Sequence, residues 1–286
     1  MNNDFAVFII SYSRPNKQHT LKSLLDRSYT GQWYIVLDDT DPTIQDYIDN
    51  FGVENIIVFD KNHYINTVDT AMLVPYYNAA LYARSAVEDI ARDLGYKAFI
   101  LLDDDITDFS IRYPDNGKLR RLSKFDINLA FNSIIDFMFE SDATMVGATH
   151  PGMFFSGIKM FEPSTISSLI NTSLPYNVMF RNVEHSMKWV SAYGEDDITA
   201  NNNTTVGNKI LTVPFLQFTV VPNKSKAKGG MYRTYNDNDS FDLMFRIYMQ
   251  SPTSVNIVYK QDGFGTRRLR NNMCPRIVSK ELVKEN

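Results

Sequence analysis

The 286-residue chain contains one cysteine, Cys274. A single thiol excludes an internal disulfide and a cysteine-built zinc cluster, and it fits a reducing compartment. No apolar run reaches the roughly 18 residues that cross a bilayer. Met1 to Asp4 are polar, not a basic segment followed by a long apolar one. The expectation is a soluble, cytoplasmic protein. Internal repeats, a domain linker, a helix-turn-helix and a zinc finger are all missing from the pattern, so one large α/β domain with a real core is expected.

The net charge of −4 conceals an asymmetry: residues 224–286 hold 12 Lys and Arg against 6 Asp and Glu, which leaves residues 1–223 at net −10. The basic end suits an anionic macromolecule or docking onto the acidic body.

The chain is organised around Phe99 to Asp105, four apolar residues that run into Asp103, Asp104 and Asp105. So short an apolar run reads as a strand buried on both faces, with the acids at its carboxyl end, where open α/β sheets bind ligands. Three adjacent carboxylates repel one another. A hard divalent cation, Mg²⁺ or Mn²⁺, relieves that repulsion and usually shares its oxygen ligands with phosphate. An acidic loop that caps the following helix or turn is the competing reading.

The rest of the pattern supports alternation of strands and helices, with a parallel sheet at its start. Phe5 to Ile10 reads as a first buried strand, followed by the phosphate-side loop Ser11-Tyr12-Ser13-Arg14-Pro15 and a helix over 17–25. Trp33 to Leu37 is a second strand, ending in Asp38 and Asp39. A helix with Ile44, Tyr47 and Ile48 leads to a third strand over 55–59. Spacing predicts helices over 70–94, stopped by Gly95, and over 127–139, then strands over 144–148 and 154–161. Residues 164–190 are ambiguous. Glu195, Asp196 and Asp197 open a helix at its positive end, which Asn201 to Asn203 break or end. A strand over 210–221 carries Pro214 as a bulge or edge marker. A basic loop over 224–230, a helix over 241–249 and a strand over 255–259 complete the reading. His150 and His185 are weak candidates for a further metal ligand.

Taken in order, these motifs resemble the GT-A fold of nucleotide-sugar glycosyltransferases over residues 5–203. The resemblance implies that Ser11 and Arg14 lie in the donor loop and that Asp38 and Asp39 hydrogen-bond the base. Ala83-Arg84-Ser85 stands where the family has Ala-Arg-Asn, which places Arg84 at the donor. It makes Asp103-Asp104-Asp105 the Asp-X-Asp metal motif, with Asp103 and Asp105 on the metal and Asp104 on the donor. Gly194-Glu195-Asp196 becomes the acceptor-site motif, with Asp196 the catalytic base and Glu195 or Asp197 orienting the acceptor. The implied donor is a UDP-sugar with Mn²⁺ or Mg²⁺. The implied domain is a core over 1–221, nucleotide-binding to about 107, with a basic segment over 222–286 beside the active site.

A narrower resemblance rests on Asp103-Asp104-Asp105-Ile106, Phe109 with a basic strip after it, and Gly229-Gly230-Met231 with Tyr235. These are similar to the TET-associated glycosyltransferases of bacteriophages, which decorate hydroxymethylated pyrimidines in DNA and often carry Asn where this chain has Asp105. That resemblance implies double-stranded DNA as partner and the host cytoplasm as location. Lys224, Lys226, Lys228, Arg233, Arg267, Arg268 and Arg270 would then hold phosphates, and Tyr232 or Phe264 would stack a flipped base. Other readings stay open. The acceptor could be a glycan or a protein, and the chain could bind nucleotides without turnover. Asp103-X-Asp105-X-Thr107 also fits a haloacid-dehalogenase-type phosphohydrolase, with Asp103 as nucleophile, Asp105 as general acid, and Asp196 and Asp197 on the metal. Arg84, Asp38, Asp39, Asp196 and Asp197 each have a plain structural reading as solvated helix, turn or helix-start residues.

Overall fold

A computed structural model describes residues 4–70, 80–154, 157–172, 175–192, 194–221, 245, 247–252, 254–261 and 267–273. The first strand, β1 (Phe5–Ile10), is buried throughout. Alternation of side chains along it explains why all six residues are apolar. Phe5, Val7 and Ile9 enter one core, and Ala6, Phe8 and Ile10 enter another on the opposite face. The strand that carries the acids, β4 (Ala98–Asp103), divides likewise: Ala98, Ile100 and Leu102 to one side, Phe99 and Leu101 to the other. Each larger side chain buried this way contributes about 1.5–3 kcal/mol.

Between them the chain forms α1 (His19–Leu25), β2 (Trp33–Asp38), α2 (Ile44–Phe51), β3 (Ile56–Phe59), α3 (Lys61–Thr67) and α4 (Ala80–Asp93). After β4 come β5 (Ile106–Asp115), β6 (Lys118–Leu122), α5 (Ile127–Glu140), β7 (Met145–Thr149), α6 (Pro163–Thr172), β8 (Val178–Asn182), α7 (Glu195–Thr205) and β9 (Ile210–Val220). Among the described residues these strands make one nine-stranded sheet in the order β3-β2-β1-β4-β8-β7-β9-β5-β6. β1, β2, β3 and β4 are mutually parallel, as the alternation implies. β8 enters antiparallel between β4 and β7. This is the mixed sheet expected of a GT-A domain. Helices α1, α2 and α5 cover one face through Leu21, Tyr47 and Phe131, and α3, α4 and α7 cover the other through Tyr64, Leu81 and Ala200. A separate ribbon pairs β10 (Val255–Gln261) antiparallel to β11 (Arg267–Met273). No helix among the described residues is long and apolar enough to cross a membrane.

At four segments the structure corrects, narrows or fills in the sequence reading. Residues 154–161 are not a strand: 3-10 turns occupy Pro151–Phe154 and Gly157–Phe161. Both edges of β7 are already paired, to β8 and β9, and Gly157 takes a left-handed φ of 58°, which breaks extended backbone. Asn201 to Asn203 do not end α7. The Asn203 side chain donates back to the Thr199 carbonyl at 2.7 Å, within the helix. Pro214 marks a bulge, not an edge, because β9 is interior and its register against β7 jumps between Gly147↔Thr212 and Thr149↔Gln217. The hairpin of β5 and β6 carries no assignment in the sequence reading, yet Asn116-Gly117 at its tip, with φ of 47° and 71°, is the turn pair such a hairpin needs. The first part of the 70–94 helix and most of the 241–249 helix lie outside the described residues.

Candidate active site

The turn Asp103-Asp104-Asp105 leaves β4 at the carboxyl edge of the sheet and is pinned from α1. The Thr20 hydroxyl donates to the Asp103 carbonyl at 2.5 Å and accepts from the Ile106 amide at 2.9 Å. The three acids then part company. Asp104 turns inward: it accepts from the Ser11 hydroxyl at 2.6 Å and pairs with Arg14 at 3.0 Å. Burial pushes its carboxyl up, while the Arg14 guanidinium opposes that shift. Asp104 thus fastens the loop after β1 to the acid turn. The loop is also held by the Tyr47 hydroxyl, which accepts from the Arg14 amide at 2.9 Å and lies 2.8 Å from Ser11 Oγ. Asp41 accepts from the Ser13 amide at 2.7 Å.

Asp103 accepts from Asn177 Nδ2 at 2.5 Å and faces Arg84 at 3.5 Å. Asp105 is different. Its Oδ1 is buried and has no hydrogen-bond partner among the described residues, and burial, then Asp103 and Asp104, push its carboxyl up to about 6. A buried carboxylate oxygen without a donor is costly unless a cation meets it. The donor set therefore fits a hard divalent ion. Among the described residues no three His, Cys, Asp or Glu side chains converge as a ready cage. The ion would need additional oxygen ligands, as a diphosphate provides. His185 does not offer one, since Thr144 lies 3.0 Å from its Nδ1 and Asp142 3.0 Å from its Nε2. His150 accepts from the Gly152 amide at 3.2 Å, in its own turn.

Across from these acids, α7 starts with Glu195, Asp196 and Asp197 in its first turn. Gly194 caps it at φ 63°, and a Cβ there would come within 2.7 Å of Ile247 Cδ1. Gly194→Ala is expected to lower stability by about 1–3 kcal/mol, read from the urea midpoint. An unchanged midpoint would show that α7 tolerates another start.

Arg84 links the two groups of acids. It lies on α4, is 3% exposed, and pairs with Asp196, with Glu195 at 3.7 Å and with Asp103. Its guanidinium sits 5.2 Å from the Trp189 ring centre. Asp196 keeps more exposure than Glu195, 19% against 10% for the side chains. Burial pushes both Glu195 and Asp197 up, and Asp197 accepts from the Tyr176 hydroxyl at 2.6 Å. The consecutive residues Tyr176 and Asn177 thus hold one acid on each side. Neither was visible in the sequence, where residues 164–190 have no clear period.

At the end of β2, Asp38 is closed off. Its Oδ1 accepts from the Thr40 amide and hydroxyl at 2.9 and 2.5 Å, and its Oδ2 pairs with buried Lys61 at 3.0 Å. Asp39 is exposed and accepts from the Lys61 amide at 3.1 Å. Lys61 escaped the sequence reading because an isolated lysine beside a histidine and an asparagine carries no signal. In β11 the register sets Arg268 opposite Lys260 and Arg270 opposite Val258. Lys224, Lys226, Lys228, Arg233, Tyr232, Tyr235 and Phe264 lie outside the described residues.

Solved structures of glucosyl-3-phosphoglycerate synthase from Mycobacterium tuberculosis are similar at low identity. The complex with phosphoglyceric acid is 11% identical, with 99% of this chain and 92% of that chain covered at a TM-score of 0.49. The complex with Mg²⁺ and UDP is 10% identical, with 96% and 91% covered at 0.46. These likenesses are too distant to speak for this chain's donor or acceptor. No curated protein matches. The family model of the TET-associated glycosyltransferases matches residues 5–230, and that span holds the loop after β1, the turn of Asp103 to Asp105, Arg84 and the acids of α7. The chain is a glycosyltransferase and belongs to that family.

Proposed function

We propose that this glycosyltransferase moves a sugar from a UDP-sugar to the hydroxyl of a hydroxymethylated pyrimidine in double-stranded DNA, with Mn²⁺ or Mg²⁺ held by Asp103 and Asp105. The observation that carries the metal assignment is the buried, unpartnered Asp105 Oδ1 at the end of β4. When bound, the cation neutralises charge on the departing diphosphate. The protein's part is to place the reactants. Ser11 and Arg14, fixed through Asp104, form the floor under the diphosphate, and exposed Asp39 is better placed than Asp38 to meet the base. Arg84 adds positive charge between the donor and acceptor acids.

Asp196 is the general base of a one-step displacement with inversion. Its carboxylate takes the acceptor hydroxyl proton as the oxygen attacks the anomeric carbon and the bond to the diphosphate breaks. Its partial exposure keeps it within reach of an acceptor, while the more enclosed Glu195 and the Tyr176-bound Asp197 shape the acceptor side. The family name supports a DNA acceptor, as does the basic C-terminal composition.

The test is incubation with hydroxymethylcytosine DNA, unmodified DNA and a panel of UDP-sugars, followed by digestion to nucleosides and mass measurement. A hexose or pentose increment on the modified base alone is expected. Asp196→Asn is expected to lower the rate of that increment by about 10² to 10⁴ while UDP affinity holds. A product with retained anomeric configuration, or an undiminished Asp196→Asn enzyme, would assign the base elsewhere. Increments on a glycan or protein but on no DNA would reject the acceptor.

A further inference from the structure

Among the described residues, the hairpin of β5 and β6 forms one edge of the nine-stranded sheet. Residues 112–124 hold five cations, Arg112, Lys118, Arg120, Arg121 and Lys124, and one carboxylate, Asp115, within a body that carries net −10 over residues 1–223. Lys118, Arg120, Arg121 and Lys124 are all exposed. Among the described residues only part of this charge is neutralised: Arg120 pairs with Asp115 at 3.2 Å, and Arg121 shares Asp108 with Arg27. Tyr113, 41% exposed, sits opposite Arg120 in the ladder.

Register locates the strip relative to the site. Leu122 pairs with Ile111, Ile111 with Leu216, and the next residue of β9, Gln217, with Thr149 at the end of β7. β7 runs in the same direction as β4, since β8 is antiparallel to both. The downstream end of β6, leading to Lys124, is therefore level with the carboxyl edge at which Asp103 ends β4. The 3-10 turn Gly157–Phe161, which follows that edge of β7, packs on β6 and adds exposed Lys159. Five strand spacings separate β6 from β4, about 24 Å. That distance corresponds to about seven base pairs at ~3.4 Å rise.

We propose that the β5–β6 hairpin, with Lys118, Arg120, Arg121, Lys124 and Lys159, is a docking surface for the phosphate backbone of duplex DNA, engaged about seven base pairs from the base presented to the active site. The proposal rests on the reading of DNA as acceptor. It adds the acidic body's own basic edge to the contact that the composition of the C-terminal segment suggests. The occupant follows from charge complementarity: exposed cations, with exposed Tyr113 beside Arg120, follow an edge that reaches the mouth of the site, and phosphates positioned there fix register without reading sequence.

The test compares the wild-type protein with a Lys118→Glu, Lys124→Glu, Lys159→Glu variant. Affinity for an unmodified duplex of about 20 base pairs is followed by fluorescence anisotropy between about 50 and 200 mM salt, beside hydrolysis of a UDP-sugar without acceptor. The variant is expected to bind at least tenfold more weakly, and its slope of log affinity against log salt to fall by about 2 to 3, with donor hydrolysis unchanged. If the triple reversal does not fold, the Lys→Gln set is expected to shift both readings by about half as much. Unchanged affinity and slope would overturn the proposal and leave the charges as guards against edge-to-edge pairing. Wild-type protein that ignores the duplex, or that poly-glutamate displaces as well as DNA does, would overturn it too. Failure of the acceptor reading looks different: the reversal weakens duplex binding, yet no base gains sugar mass.

Discussion

Asp105→Ala is expected to abolish Mn²⁺-dependent UDP binding and to lower transfer by about 10³ or more. Loss of a metal ligand removes several kcal/mol of charge stabilisation, and each ~1.4 kcal/mol is a factor of ten. Isothermal titration with UDP, with and without Mn²⁺, reads the first effect directly. The same position predicts a second, opposite effect on stability. Asp105 Oδ1 is buried without a partner, and its carboxyl is pushed up to about 6, so near pH 7 the ion-free protein holds a charge that its surroundings disfavour. Asp105→Asn keeps the shape and removes that charge. Its melting temperature without metal is expected to rise by about 2–4 °C, the pattern of a site that trades stability for binding. Equal UDP affinity with and without Mn²⁺ in the wild-type protein would defeat the metal assignment. A lowered melting temperature in Asp105→Asn would mean that the carboxylate has a protein partner after all.

Arg84→Ala should be the most destabilising single change at the site. The guanidinium is 3% exposed and faces Asp103, Glu195 and Asp196 together. Removing it leaves three acids without an ion-pair partner among the described residues, and breaking a buried pair from one side costs about 3–5 kcal/mol. For a chain of this size the melting temperature should fall by about 10 °C. Arg84→Lys is not expected to rescue it, because two guanidinium nitrogens serve separate carboxylates while the planar group lies against Trp189. Combining Arg84→Met with Asp196→Asn should cost less than the sum of the two changes, since each removes the other's uncompensated charge. Melting within about 2 °C of wild type in Arg84→Ala would show that the acids on α7 are neutralised elsewhere.

The motif Ala83-Arg84-Ser85 points to Arg84, but the acids that it meets were hidden in the sequence, and the reason is general. A helix displays its own periodicity, so residues 80–93 read as amphipathic and Arg84 reads as a position on that helix. Which acids it meets depends on where β4 and α7 place their ends, and those are set by the packing of two helices and a strand that are far apart in the chain. Tyr176 and Asn177 illustrate the same limit: both act through contacts with Asp197 and Asp103, and no local pattern announces them.

By itself the sequence determined the parts of this protein governed by local periodicity and by hydrophobic runs. The unbroken apolar strands β1 and β4 required burial on both faces, hence helices on both sides of a parallel sheet, and the acids at the end of β4 required a place at the carboxyl edge. The order of the motifs sufficed for the family. Tertiary structure alone decided which partners each acid meets. Asp104 and Asp105 are neighbours of identical chemistry, yet one is claimed by Ser11 and Arg14 while the other has an oxygen left without a partner. Asp38 and Asp39 divide in the same way, closed by Lys61 and Thr40 or left open to solvent. The physical reason is that the role of a carboxylate is fixed by desolvation and by the partners within about 4 Å, and for these acids many of those partners come from other strands and helices.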